Sequence, residues 1–341
     1  MTLALLSPAE IEEQFIVRPA TLDDVEIATA LFNKSSLYLT GIEEFDIDDV
    51  RREWTQENLK VEDNMRLVFT PDGELVGYIE TWDLRPPYTI LYAWLNLHPD
   101  YENAGIGEYL MQWAEQRLRQ TIAKAPEGAE VWMRMGTLHV NTAVHRAAES
   151  IGMTCIRHFF KMGIEFDGPP PTPVWPEGIH IRTWVVGQDD EAIYRTLDAA
   201  FKDHWGHVDT PFEVAYRNWR HWVVERDDLE PDLTFLAVDE NDKILGVSYC
   251  ESKRLDMPDY GWLATLGVLR EGRGRGIGLA LLLHTFGEFY RRGKKGCGLG
   301  VDAENLTGAL RLYTKAGMSP VSQWDTFGKI LRDGYPAEVH E

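Results

Sequence analysis

Cysteine is scarce. Cys155, Cys250 and Cys297 are the only three in 341 residues, far apart and with no C-x-x-C. That spacing excludes a disulfide framework and a zinc knuckle, predicts no metal centre, and fits a reducing compartment. Basic side chains are also in deficit. Lys+Arg number 34 against 55 Asp+Glu, a formal net charge of −21. Such a field repels phosphate backbones, so no nucleic-acid partner is expected, and cationic partners are favoured. No apolar run approaches the ~18 residues of a membrane span. The run Leu3-Ala4-Leu5-Leu6 has no basic flank and acids follow it, which makes a poor signal peptide. These absences predict a cytoplasmic protein with no membrane partner. Apolar side chains are abundant: 44% of residues are hydrophobic and 11% aromatic, enough for two cores in a chain of this length.

Proline concentrates in one place. Pro169, Pro170, Pro171, Pro173 and Pro176 lie between Phe166 and Gly178, a density that forbids helix and sheet and predicts a stiff extended linker over 167–178. The sequences on either side echo each other. Phe15-Ile16-Val17-Arg18-Pro19 before Asp23-Asp24 parallels His180-Ile181-Arg182-Thr183 before Asp189-Asp190, each a strand entering a helix. Two hairpins, with turns at Pro71-Asp72-Gly73 and at Glu240-Asn241-Asp242, also correspond. Leu95-Asn96-Leu97 stands where Leu266-Gly267-Val268 stands, and Gly152-Met153 mirrors Gly317-Met318. A repeat this long means two copies of one domain, over 13–166 and 179–335. Helical spacing predicts core stripes at Leu110, Met111, Ala114 and Leu118 in one copy, and at Leu279, Leu282, Leu283, Phe286 and Tyr290 in the other.

The second copy carries Arg273-Gly274-Arg275-Gly276-Ile277-Gly278 between an apolar strand and an apolar helix. Residues without a Cβ let the backbone approach an anion, and a helix start offers unpaired N–H groups to it. The spacing fits neither the dinucleotide motif G-x-G-x-x-G nor a P-loop. It does fit R-x-x-G-x-G at Arg273, Gly276 and Gly278. Downstream come Leu299-Gly300-Val301-Asp302-Ala303-Glu304-Asn305 and then Leu310-Arg311-Leu312-Tyr313, ending at Gly317-Met318. On these two blocks the chain resembles the GNAT N-acetyltransferase superfamily. Among its tandem two-domain members the layout is similar to that of the mycothiol synthases.

The resemblance implies an α/β fold: two GNAT-like domains, each a mixed, mostly antiparallel sheet flanked by helices. It implies an acetyl-CoA-dependent N-acetyltransferase acting on a primary amine of a small molecule, with the active site in the C-terminal copy. Leu266, Gly267 and Val268 are then expected to bind the pantetheine arm. Arg273, Gly274, Arg275, Gly276, Ile277 and Gly278 would hold the diphosphate, with Arg273 acting more through its amide than its guanidinium. Asn305 would hold the arm or fix the loop, and Tyr313 would be the general acid. The family's usual glutamate is missing from the strand Tyr260-Gly261-Trp262-Leu263-Ala264-Thr265, so the base falls to Glu251, or to Asp259, acting through water. Asp203, His204 and Trp205 are expected in the acceptor wall, while Trp219 and Trp222 read as core. The N-terminal copy departs from the pattern. Glu102 stands at the place of Arg273 and Ala148 at the place of Tyr313, though Asn141 matches. That copy reads as degenerate, with cofactor binding through its backbone amides left open. Two other functions fit the composition: an acyl-CoA sensor, or an acetyltransferase for protein N-termini or lysines. Monomer and homodimer both remain open.

Overall fold

The computed structural model describes residues 6–336, apart from 57, 208, 253, 255, 256, 306 and 307. The chain packs as two compact units, and the division does not follow the linker. The first unit opens with α1 (Pro8–Gln14), started by a capping box in which Ser7 and Glu10 satisfy each other's backbone. Then come β1 (Ile16–Pro19), α2 (Val25–Thr40), α3 (Ile47–Trp54), α4 (Val61–Asn64), β2 (Met65–Phe69), β3 (Leu75–Trp82), β4 (Ile90–Leu97), α5 (Ile106–Arg119), β5 (Val131–Leu138) and α6 (Thr142–Ser150). The chain leaves along β6 (Thr154–Glu165), which belongs to this unit only as far as His158.

The second unit takes the rest of β6, then β7 (His180–Thr183), α7 (Asp190–Phe201), α8 (Phe212–Trp219), β8 (Thr234–Val238), β9 (Ile244–Glu251), β10 (Tyr260–Val268), α9 (Ile277–Arg291), β11 (Gly296–Asp302) and α10 (Ala309–Lys315). From Trp324 onward the last strand, β12 (Ser319–Arg332), returns to the first unit. Residues 167–178 form neither helix nor strand.

The strands of the two units follow one plan. In the first unit the order is β1-β2-β3-β4-β5-β12, antiparallel except for the parallel pair β4–β5. In the second it is β7-β8-β9-β10-β11-β6, antiparallel except for β10–β11. Each is the expected mixed, mostly antiparallel sheet. The sixth strand of each sheet comes from the other sequence repeat. Residues 159–165 pair with β11, from Phe159–Asp302 to Glu165–Gly296, and β12 pairs with β5, from Trp324–Leu138 to Arg332–Val131. The boundaries 13–166 and 179–335 therefore describe sequence repeats, whereas the packed units trade their closing strands. An edge strand needs a partner of the right register, and chain proximity does not choose it.

The same local device opens both units. Arg18 grips Asp24 (2.5 Å) across the turn after β1, and Arg182 grips Asp189 (2.7 Å) after β7. In α5 the predicted stripe Leu110, Met111, Ala114 and Leu118 is fully buried. In α9 the buried face is rotated from the predicted one. Ile277, Leu281, Leu282, Phe286 and Phe289 are buried, while Tyr290 is 39% exposed. Both sheets bury side chains on both faces, so apolar residues surround α9 and blur its period. Among the described residues no helix is long and apolar enough to cross a membrane.

Candidate active site

After β10 the chain turns once at Arg270–Gly272. Gly274 then takes φ +73° and Gly276 takes φ +94° as N-cap of α9. L side chains rarely adopt that backbone region. A Cβ on either glycine would meet nothing within 4 Å, so the space beyond them is open. The first helical bond runs from Ala280 N–H to Gly276 O, 3.0 Å. The N–H groups of Ile277, Gly278 and Leu279 have no backbone acceptor among the described residues. They point from the positive end of a 15-residue helix. Small residues, open space and free amides fit a diphosphate.

The sheet splits beside this loop. β10 and β11 pair only from Tyr260–Gly296 to Leu263–Leu299 and then part. The β9–β10 register slips between Leu263 and Thr265, so Ala264 bulges. Leu269 N–H donates to Leu245 O (2.9 Å). By alternation, Gly267 also faces β9, and Leu266 and Val268 turn their amides to the gap. A cavity of about 330 Å³ occupies this place, lined by Leu266, Gly267, Val268, Arg273, Gly274, Gly276, Ile277, Gly278 and Tyr313. Strand amides on one side and helix amides at the end are what a pantetheine arm with a diphosphate requires, and the residues present fit that group.

Tyr313 comes from α10. Its backbone is pinned by Met318 N–H donating to Tyr313 O at 3.0 Å. The ring is 7% exposed, and among the described residues its hydroxyl has no hydrogen-bond partner. Burial, with a smaller contribution from Cys297, pushes its pKa up to about 12, so it is a proton donor at neutral pH.

Other predicted residues fall differently. Arg273 donates to Val268 O (3.2 Å) and Ala200 O (2.8 Å), so its guanidinium braces the wall and leaves its backbone to the cavity. Arg275 is exposed and does not line the cavity. Asn305 lies in the loop after β11, its N–H donating to Asp302 O (3.2 Å), also outside the cavity lining. Asp203 is gripped by Arg270 (2.9 Å from Nε) and lies 3.7 Å from Arg273, so the loop already neutralises its charge. His204 does line the cavity, and burial holds its pKa below the ordinary value. Trp205 packs on Phe159 and lines neither this cavity nor its neighbour. Glu251 accepts from Arg226 at 2.9 Å. Asp259 pairs with Lys295, both exposed, far along β10 from the gap.

A second cavity, about 300 Å³, lies on the other side of Phe201. Trp184, Trp219, Tyr249 and Phe201 line it, with Asp198, His207, Thr234 and Thr265. Trp219 thus faces a cavity as well as packing on Trp184. Thr234 is fully buried, and its hydroxyl has no partner among the described residues. A buried hydroxyl left unpaired costs about 1–3 kcal/mol unless a ligand or water satisfies it. Of the Phe201-to-His207 segment expected to form an acceptor wall, Phe201 and His207 line this cavity and Asp203, His204 and Trp205 do not. Trp184, Tyr249 and Thr265 arrive from three separate strands or strand ends, with no common motif.

The first unit has the same frame with both spaces filled. Gly105 (φ +88°) caps α5 as Gly276 caps α9, and Met153 N–H donates to Ala148 O (3.2 Å) where Met318 donates to Tyr313. Here, though, Leu6 N–H donates to Ala104 O (3.1 Å), and a Cβ on Gly105 would lie 2.6 Å from Leu6 O. The amino-terminal backbone covers the loop that would hold an anion. Trp94 stands at the register position of Thr265 and packs edge-on against Phe32 and Tyr78.

Comparisons with known proteins agree with this geometry. The profile of the Acetyltransferase (GNAT) family matches residues 28–153 and again 191–318. A mycothiol acetyltransferase of Nocardia farcinica is 28% identical over 257 residues, 73% of this chain and 77% of its own length. One from Mycolicibacterium vanbaalenii is 28% identical over 290 residues, 81% and 84% of the two lengths. A GCN5-related N-acetyltransferase from Sphaerobacter thermophilus, solved by crystallography, is 31% identical with a TM-score of 0.78, covering 98% of this chain and 99% of that one. A tandem GNAT protein of the clavulanic acid biosynthesis pathway shares the fold, with a TM-score of 0.68 at 15% identity over 94% of this chain and all of that one. The chain belongs to the GNAT acetyltransferase family and is an acyltransferase built from two GNAT domains.

Proposed function

We propose that the chain transfers an acetyl group from acetyl-coenzyme A to a primary amine of a small molecule, in the second unit alone. The contrast between two equivalent glycines carries this reading: Gly276 faces open space, and Gly105 is covered by Leu6. The thioester, when bound, supplies the activated acetyl group. The free amides of Ile277, Gly278 and Leu279 hold the diphosphate, and those of Leu266 and Val268 hold the arm and polarise the carbonyl oxygen. Tyr313 O–H gives its proton to the departing sulfur.

The acceptor occupies the aromatic cavity, where Asp198 attracts an ammonium and Thr234 gains the partner it lacks. A volume near 300 Å³ suits a small molecule, at the lower end of ligand pockets. Several relatives are named mycothiol acetyltransferases, which supports a small-molecule acceptor. Asp203 serves the loop by fixing Arg270, so recognition of the acceptor's charge moves to Asp198. Glu251 sits two residues from Tyr249 on the same strand face and acts on the ammonium through water. Three free thiols fit a reducing compartment.

Calorimetric titration should find one acetyl-CoA per chain; two equal sites would contradict the covered first loop. Thiol release measured over an amine panel should fall about 100-fold or more in kcat for Tyr313→Phe, with the acetyl-CoA Kd unchanged. Unaltered turnover in that variant would remove Tyr313 from the mechanism.

A further inference from the structure

Three sequence-distant segments of the first unit converge on one buried carboxylate. Asp325 on β12 is 4% exposed. Its Oδ1 lies 2.8 Å from His158 Nδ1 on β6, and its Oδ2 lies 2.7 Å from His139 Nδ1, just after β5. Cys155 Sγ stands 3.8 Å from His158 Nδ1. The ligand atoms of Cys155, His158 and Asp325 all lie within 4.8 Å of one another. None of these residues takes part in the transfer reaction proposed above.

The distances match a coordination shell. With metal–sulfur near ~2.3 Å and metal–nitrogen near ~2.0 Å, a tetrahedral edge between S and N is about 3.5 Å. The observed Sγ–Nδ1 separation needs only a small adjustment. The carboxylate–imidazole pair must open by roughly 0.5 Å as an ion replaces the shared proton. His145 is a poor ligand through Nε2, because Leu138 O lies 3.2 Å from that nitrogen and claims its hydrogen. His139 instead holds the second carboxylate oxygen, as a supporting residue holds a metal-ligating group. His139 and His158 are 60% and 43% exposed, so an ion can enter from solvent.

We propose that Cys155, His158 and Asp325 bind a divalent transition-metal ion, zinc best matching one thiolate, one imidazole and one carboxylate, with solvent in the fourth position. Binding releases the thiol proton to solvent, and the proton between His158 Nδ1 and Asp325 moves to the imidazole Nε2, which keeps the ligating ring neutral. The ion ties Asp325 of the returning strand to residues 167 and 170 positions earlier, so it staples β12 into the first unit.

The full-length protein, freed of metal with a chelator, is titrated with Co²⁺ and then with Zn²⁺. Expected are about one ion per chain, a thiolate-to-cobalt charge-transfer band, loss of that band on adding zinc, and a Tm raised by zinc. Cys155 is exposed whereas Cys250 and Cys297 are buried, so Cys155→Ser should fold normally and lose the band and the zinc-dependent Tm rise. His158→Asn should weaken zinc at least about tenfold. A cobalt titration with no thiolate band, or zinc affinity unchanged in both Cys155→Ser and His158→Asn, overturns the site.

Discussion

Single side chains in this molecule are set by what buries them. Tyr313 and Ala148 hold the same hydrogen bond to a Gly-Met pair, yet only Tyr313 brings a hydroxyl to a cavity. Glu80 shows the same control in the first unit. Burial, and then the nearby Glu53, pushes its pKa up to about 8. Its Oε2 accepts from Tyr78 Oη (2.5 Å) and its Oε1 accepts from Trp82 Nε1 (2.7 Å). The unfolded carboxyl ionises near its ordinary value while the folded one keeps its proton. Stability is therefore highest below that value, falls as pH rises, and levels off above about 8. Glu80→Gln imitates the neutral acid. Its Tm should match wild type near about pH 5 and exceed it by roughly 5 °C near about pH 9, read from paired melts. Equal Tm values at both pH settings would mean that Glu80 is charged in the fold.

At the scale of elements, both copies use one strand–loop–helix frame, and what lies against the frame decides its use. The splayed β10 presents Thr265 to the aromatic cavity, while β4 presents Trp94 at the same register. One indole with Phe32 and Tyr78 turns a cavity into core. Thr265→Trp should copy that filling into the second unit. The expected outcome is an amine KM raised at least about tenfold, ~1.4 kcal/mol, with acetyl-CoA affinity retained. Steady-state kinetics against both substrates checks it, and an unchanged amine KM would place the acceptor elsewhere. The R-x-x-G-x-G loop was legible because its glycines must be glycines. The aromatic cavity was not, because Trp184, Tyr249 and Thr265 come together only in the folded sheet.

For the whole chain, the traded closing strands set how stability is shared. β12 gives the first unit Phe327 and Leu331, each worth about 1.5–3 kcal/mol on burial. Lys329 donates to Ile151 O and reaches Glu115 at 2.7 Å, and Arg332 donates to Ala129 O at 2.8 Å. A chain ending at Gln323 leaves β5 as a bare edge of buried character. It should lose the first unit's cooperative melting transition and become protease-sensitive within residues 1–158, although the deletion lies some 165 residues away in sequence. An intact first-unit transition in that fragment would show that β12 is dispensable.

The linear order of residues was enough to determine the family, the duplicated domain and the place of the glycine loop, because each depends on short-range chemistry: a missing Cβ, a period, a fixed offset. Which copy keeps an open loop, which strand closes which sheet, and which side chains gather around Asp325 or the aromatic cavity were decided by tertiary structure. Those outcomes depend on main-chain groups and side chains from distant positions meeting within a few ångströms, and sequence spacing carries no record of such meetings.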